Sequence, residues 1–174
     1  MKILVVHPAQ QHSYHMATAL EEKGYLYKYI TTVYYKKYSF THVAAFFLRG
    51  TSKVKAKERR CPVLKDNKVV QFCELEGLIK LMIMRSIKFR PFYRRIKYHL
   101  TDRFARKVVN YAIKHNVDAV VSYDDYSSVL FEKLKEKAPD ILRIMDMSAA
   151  NILYMREIYD KDKQIQPNFA DRLS

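Results

Sequence analysis

The chain has 174 residues, with 32 Lys plus Arg against 18 Asp plus Glu, which gives a net charge of +14. Apolar residues make up 49% of it and only 3 Gly and 5 Pro are present, so disordered and collagen-like chains are excluded. Cys61 and Cys73 form neither a disulfide framework nor a zinc motif. No apolar run approaches the roughly 20 residues of a membrane span, and no signal-peptide pattern is present, so a cytoplasmic protein is predicted.

The amino-terminal segment predicts a strand, a loop, a helix and a second strand. Residues 2–7 form a continuous apolar run that Pro8 ends, which is typical of a parallel strand buried on both faces. Ser13 is a good helix N-cap and Gly24 a helix stop, so the residues between them predict a helix. Residues 25–31 then alternate as a second strand. This order is typical of a parallel, doubly wound sheet.

The rest of the chain continues the alternation of strands and helices. The predicted elements are a helix over 40–48, an irregular charged segment over 51–68, a strand over 69–74, helices over 78–89 and 92–115, a strand over 118–123, a helix over 126–137, a strand over 141–145 and a helix from about 149 to 159. The predicted fold class is therefore α/β with a Rossmann-like doubly wound parallel sheet. We expect residues 1–160 to form this domain and residues 161–174 to begin an incomplete carboxy-terminal segment.

Polar side chains follow several of the predicted strands, at the edge where open parallel sheets bind ligands. The candidate substrate-binding residues are His7, Gln11, His12 and Ser13 after the first strand, Asp124 after the fourth and Asp146 after the fifth. Each has an alternative interpretation. His7 also suits a hydrogen-bonded core histidine, and Asp124 also suits a helix cap, a metal ligand or a base.

Motifs for several kinds of site are absent from the sequence. No glycine follows the first strand, so neither a dinucleotide fingerprint nor a phosphate-binding P-loop is present. Ser127 and Ser148 lack the Gly-x-Ser-x-Gly elbow of hydrolases. His12 and His15 share a helical face, but no carboxylate completes a metal motif with them. We therefore expect no metal and no cofactor.

Four segments carry a resemblance to a known family. They read KILVVHP at residues 2–8, QHSYHMA at 11–17, LYKYITT at 26–32 and DMS at 146–148. These segments resemble the amino-terminal domain of group 1 (family 4) retaining glycosyltransferases. The resemblance implies one half of a GT-B fold, in which two Rossmann-like domains face each other across a cleft.

The resemblance implies a division of labour between the two domains. The amino-terminal domain shapes the acceptor site, here with His7, Gln11, His12, Asp124 and Asp146, while the carboxy-terminal domain binds the nucleotide-sugar donor. We expect the chain to be the acceptor-side half of a sugar transferase, with the donor domain absent and no turnover on its own. Many relatives have a glycine-rich loop after strand one. This chain has PAQQ at residues 8–11, so that loop is not expected to contact phosphate.

The positive charge is concentrated in one region. Residues 80–107 hold ten Lys or Arg and one acid, a net +9, interleaved with Leu, Met and Phe. This mixture predicts an anionic membrane surface as a partner, at the inner face of the membrane, and many relatives use lipid-linked acceptors. The predicted membrane-facing residues are Arg85, Lys88, Arg90, Arg94 and Arg95.

Three other interpretations of the basic region stay open. It is also typical of a solvated helix face whose apolar stripe packs on the sheet. A nucleic-acid-binding module would use its aromatic residues for stacking, but no nucleic-acid-reading motif is visible, so nucleic acid is not favoured. A non-catalytic module that completes its fold against another chain is the third alternative.

Overall fold

The protein is a five-stranded, all-parallel sheet with helices on both faces. The structure, a computed structural model, describes residues 1–9, 12–84, 89–147 and 152–165. The strands are β1 (Ile3–Val6), β2 (Leu26–Thr31), β3 (Val69–Gln71), β4 (Ala119–Tyr123) and β5 (Leu142–Asp146), in the order β3-β2-β1-β4-β5. The predicted α/β class with a Rossmann-like doubly wound sheet is confirmed.

Helices connect successive strands, and one more helix follows the last strand. They are α1 (Ser13–Glu22), α2 (Phe40–Phe47), α3 (Gly50–Lys57), α4 (Glu74–Met84), α5 (Arg90–Lys114), α6 (Asp124–Lys137) and α7 (Ile152–Ile165), with a short 3-10 turn at Asp66–Lys68. None of the helices within the described ranges combines the length and the apolar character needed to cross a bilayer.

The two faces of the sheet bury separate cores because successive side chains of a strand point to opposite sides. Leu4 and Val6 of β1 join α5 and α6 on one face, where Phe104 and Val108 of α5 are fully buried. Ile3 and Val5 join the other face, which α1 covers with Ala17. The continuous apolar run of strand one is thus explained by burial on both sides.

The strand order reverses between β1 and β4. The chain runs outward from β1 to β2 and β3, then returns to the other side of β1 and continues to β5. Loops therefore diverge at the carboxyl ends of β1 and β4 and leave a crevice there, which is where open parallel sheets bind their ligands.

The prediction of an irregular segment over residues 51–68 is wrong in its first half. Residues Gly50–Lys57 form helix α3, which buries none of its side chains and has no side-chain cap at Arg49. Helix-favouring Lys and Ala residues form it, but without a buried apolar stripe it leaves no periodic pattern in the sequence.

The prediction that strand three continues to residue 74 is also wrong. Strand β3 ends at Gln71, and Cys73 takes a left-handed conformation with φ of 56°. This residue turns the chain, so Glu74 begins α4 four residues before the predicted start of the helix. Similarly, α6 begins at Asp124, directly after β4, and not at residue 126.

The last described helix extends past residue 159, where the sequence predicts its end. Helix α7 runs from Ile152 to Ile165 without a break at residue 160. Residues 166–174, which the sequence analysis assigned to an incomplete segment, lie outside the described residues.

Candidate functional site

A pocket of about 600 Å³ lies at the carboxyl ends of β1 and β2, beside the point where the strand order reverses. It draws residues from the loops after both strands and from helices α4, α5 and α6. Its lining consists of His7, Pro8, Ala9, Thr32, Val33, Arg59, Gly77, Lys80, Leu81, Met84, Tyr93 and Tyr126. Its volume falls within the range of small-molecule sites in proteins.

His7 belongs both to the core and to the pocket. Its side chain is 1% exposed, and its ring packs edge-on against Tyr123 at 5.4 Å and Tyr126 at 5.5 Å between ring centroids. Its Nδ1 lies 2.6 Å from the carbonyl oxygen of Ala9. The same Nδ1 lies 3.2 Å from the backbone nitrogen of Ala9. These contacts orient the imidazole and hold the turn that follows β1.

Lys80 places a positive charge in the pocket wall. It lies on α4 with 8% of its side chain exposed, and its Nζ donates a 2.8 Å hydrogen bond to the hydroxyl of Tyr126. The ammonium also lies 5.4 Å from the ring centroid of Tyr126 and 6.0 Å from that of Tyr93. Cation–π attraction from two rings partly compensates for the lost hydration of the charge.

Gly77 lets α4 approach the loop after β2 very closely. A Cβ at this position would lie 2.8 Å from Thr32 Oγ1 and 2.8 Å from Val33 Cγ2. Thr32 is itself buried, and its hydroxyl donates a 2.6 Å hydrogen bond to the carbonyl oxygen of Pro8. These contacts join the loops after β1 and β2 to α4, so the pocket is preformed.

The structure brings one of the six predicted substrate-binding residues, His7, into the pocket lining. His12 is exposed at the start of α1 and does not line the pocket. Ser13 is fully buried, and its Oγ lies 3.0 Å from the hydroxyl of Tyr29. Gln11 and the side chain of Asp124 lie outside the described residues.

Asp146 ends β5 and is half-buried. Burial raises the pKa of Tyr123 above its usual range, and the negative charge of Asp146 is the second cause of this increase. Tyr123 packs against His7, so Asp146 is connected to the pocket through the core and does not line it.

Sequence reasoning missed Lys80, Arg59 and Tyr126 as pocket residues. One signal for Lys80 was available, since Gly77, Lys80, Leu81 and Met84 recur at helical spacing and all four line the pocket. A single lysine on such a face is either solvated or turned toward a polar cavity. Arg59 and Tyr126 carry no comparable signal, because folding alone brings them beside Lys80.

No carboxylate belongs to the pocket lining within the part of the chain that the structure describes. Over the same residues, no group of three or more His, Cys, Asp or Glu side chains is placed to hold a metal ion. The pocket thus offers aromatic faces, hydroxyls, an imidazole and cations. These groups bind and orient polar ligands.

No protein-family model, no curated protein and no solved structure matches this chain.

An apolar and basic surface lies beside the pocket. Met82 and Met84 of α4 are 67% and 54% exposed, and Phe92 of α5 is 57% exposed. Arg94 and Arg95, which follow on α5, are exposed as well. Of the other predicted membrane-facing residues, Arg85, Lys88 and the side chain of Arg90 lie outside the described residues.

A second apolar surface adjoins it on α2 and α3. Phe46 and Phe47 are each 77% exposed, and α3 contributes the basic Lys55 and Lys57 in its last turn. A groove of about 320 Å³ between α2, α3 and α4 is lined mainly by Ala, Leu, Ile and Met side chains. Exposed aromatic side chains next to lysines form a surface that a soluble domain rarely shows.

Proposed function

We propose that the chain is the acceptor-binding domain of a glycosyltransferase that moves a sugar from a nucleotide-sugar to an acceptor. The observation that carries the proposal is the preformed pocket at the edge of the parallel sheet, with His7, Thr32, Tyr93 and Tyr126 in its wall. Aromatic rings beside hydroxyl and imidazole groups suit a sugar, whose ring has apolar faces and polar edges.

The nucleotide-sugar would bind to a second Rossmann-like domain facing this edge of the sheet. Two features support this division. The loop after β1 has no glycine with which to approach a diphosphate, and the described pocket lining has no carboxylate for acid–base chemistry. The role assigned to these 174 residues is therefore to hold and orient the acceptor.

An anionic membrane surface is proposed as the place where the domain works. The exposed methionines and phenylalanines of α4 and α5 would enter the lipid interface, while Arg94 and Arg95 would face the headgroups. The exposure of Met82, Met84 and Phe92 argues against the alternative in which this stripe packs on the sheet. A lipid-linked acceptor held at such a surface would lie close to the pocket.

Ligand-observed NMR on the 174-residue chain tests the acceptor role. We expect saturation transfer from the protein to one or more members of a panel of methyl hexosides. Tyr93→Ala, which removes a pocket ring, should weaken the binding about tenfold, as expected for one aromatic contact. Tyr98→Ala is the matched control, because Tyr98 lies on the same helix, is 67% exposed and does not line the pocket.

Two results would contradict the acceptor role. One is the absence of binding to every sugar. The other is binding of single-stranded oligonucleotide with a steep salt dependence, which would favour the nucleic-acid-binding alternative.

A further inference from the structure

We infer that Lys80 and Arg59 form a subsite for a phosphate group on the ligand that this pocket takes. The identity of that ligand as a sugar acceptor rests on the proposed function, whereas the binding of phosphate does not. The inference comes from the charge, the burial and the position of these two side chains.

Lys80 has the properties of a lysine that binds an anionic ligand. An ammonium has three donors, and one of them is used in the bond to Tyr126. The ion pairs formed among the described side chains do not include Lys80. Within the described part of the chain this buried charge therefore has no carboxylate partner, and folded proteins keep such a charge mainly where it has a use. Its side chain lines a cavity large enough for a ligand.

Arg59 brings a second positive charge to the same cavity. It follows α3, and its backbone carbonyl accepts a 2.8 Å hydrogen bond from the backbone N–H of Tyr35, which holds this segment beside the loop after β2. A planar guanidinium has paired donors whose geometry matches two oxygens of a phosphate. With Lys80, Arg59 gives the described part of the cavity wall two cations and no anion.

Two acids on the same helix as Lys80 are engaged elsewhere. Glu74 Oε1 accepts hydrogen bonds from the backbone N–H and the hydroxyl of Thr41, at 2.7 and 2.6 Å. Glu76 forms an ion pair with Arg103. Both acids lie in the first turn of α4, so an anion is not attracted to that helix end and Lys80 is the attractive group on this helix.

The cavity also sets the size of the ligand. About 600 Å³ accommodates a monosaccharide phosphate, with the sugar against Tyr93 and Tyr126 and the phosphate at the two cations. The phosphate belongs either to a soluble sugar phosphate or to the headgroup of a phospholipid. Both sources present negatively charged phosphate oxygens to Lys80 and Arg59.

Calorimetric titration of the 174-residue chain with inorganic phosphate tests the subsite. We expect saturable binding that weakens at least tenfold in Lys80→Met, because one charge-assisted contact is lost. Methionine keeps the length and the apolar stem of Lys80. Arg59→Gln is the second variant, since Arg59 is only half-buried and its replacement is expected to disturb the fold less than that of Lys80. Lys114→Met is the matched control, with the same charge change on an exposed residue at the far end of α5.

Glycerol 3-phosphate and a monomeric short-chain phosphatidic acid, titrated in parallel, distinguish the two sources. Tighter Lys80-dependent binding of the first indicates a soluble ligand, and tighter binding of the second indicates a lipid headgroup.

The inference is overturned if phosphate does not bind, or if Lys80→Met and Arg59→Gln both bind it as the wild type does. Sugar binding that depends on Tyr93, together with no phosphate binding, would remove the subsite and leave the proposed function intact. Phosphate binding that depends on Lys80, together with no sugar binding, would remove the acceptor role and leave the phosphate subsite intact.

Discussion

Gly77 determines how closely α4 lies against the loop that carries Thr32. An alanine in a helix interior normally stabilises a protein relative to glycine by about 0.5–1 kcal/mol. Here the added methyl would lie 2.8 Å from Thr32 Oγ1, and Thr32 is held by its hydrogen bond to Pro8. At this position the close packing against Thr32 therefore opposes the usual preference of a helix for alanine over glycine.

We predict that Gly77→Ala lowers the free energy of unfolding by about 1–3 kcal/mol, the usual cost of overpacking. Urea denaturation measures this change. Gly24→Ala is the comparison, because Gly24 has φ of 73° with open space around it and reports backbone strain alone. Fluorescence or NMR shifts of pocket residues should change in Gly77→Ala but not in Gly24→Ala. A Gly77→Ala protein as stable as the wild type would contradict this prediction.

At the scale of elements, a group of tyrosines joins α1, β2 and the loop after β2. Tyr14 of α1 packs against Tyr29 of β2 at 5.3 Å and against Tyr34 at 6.1 Å between ring centroids. Burial raises the pKa of Tyr14 and Tyr29 above the usual range, and it raises the pKa of Tyr34 to about 12. The hydroxyl of Tyr34 also donates to the carbonyl of Cys61 at 3.2 Å and accepts from its backbone N–H at 3.1 Å.

We predict that stability falls steeply as the pH rises above about 10, where a tyrosine of the unfolded chain ionises. A folded-state pKa above the unfolded value gives stability that is complete below pH 10 and is lost as the pH rises through about 12 for Tyr34. Urea denaturation at a series of pH values should show a shallower decline for Tyr34→Phe than for the wild type. Tyr98→Phe, at an exposed position, should follow the wild-type curve; equal slopes for wild type and Tyr34→Phe would contradict the burial argument.

At the scale of the whole molecule, the segment over residues 80–107, which holds +9 of the net charge of +14, also carries the exposed apolar side chains of α4 and α5. Each basic group near an anionic surface contributes about 1 kcal/mol. The opposite edge of the sheet also has exposed cations, Lys114 and Lys137. The membrane-docking proposal therefore depends on where the basic residues lie on the surface and not only on the net charge of the protein.

We predict that vesicles containing anionic phospholipid bind the chain at low salt and release it at high salt, because screening shortens the range of the attraction. Arg94→Glu with Arg95→Glu should weaken the binding roughly thirtyfold or more, from two lost contacts. Lys114→Glu with Lys137→Glu makes the same charge change and should have a much smaller effect. Co-sedimentation measures all three proteins. The absence of binding at low salt, or equal losses in the two double variants, would count against docking through α5.

Local patterns were sufficient for most of the fold. The apolar run of β1 and the apolar residues of β2 depend on neighbours along the chain, so they could be recognised without coordinates. Helix α3 could not be recognised in this way, because it buries none of its side chains and its sequence therefore has no apolar residues at helical spacing. The prediction that Ser13 caps α1 is wrong: His12 is the N-cap, its side chain forms no capping hydrogen bond, and the Ser13 hydroxyl pairs with Tyr29 instead. The end of β3 depends on the left-handed backbone of Cys73, which has no signature at a cysteine.

The candidate site was predictable only in its position. The rule for open parallel sheets places it after β1, and His7 is there. Ser13 was nominated by the same rule, but its hydroxyl faces Tyr29 inside the protein. A loop position in the sequence does not determine whether a side chain turns toward the crevice or into the core. That direction depends on the packing of α1 against the sheet.

The sequence by itself determined the α/β class, the order of most elements and the concentration of positive charge between residues 80 and 107. These properties follow from composition and from periods of two and 3.6 residues, which are local. Only the tertiary structure decided that Lys80 meets Tyr126, 46 residues away, and that Arg59 lines the same cavity. The physical reason is that a binding site forms where separate loops and helices converge, and convergence depends on strand order and helix packing.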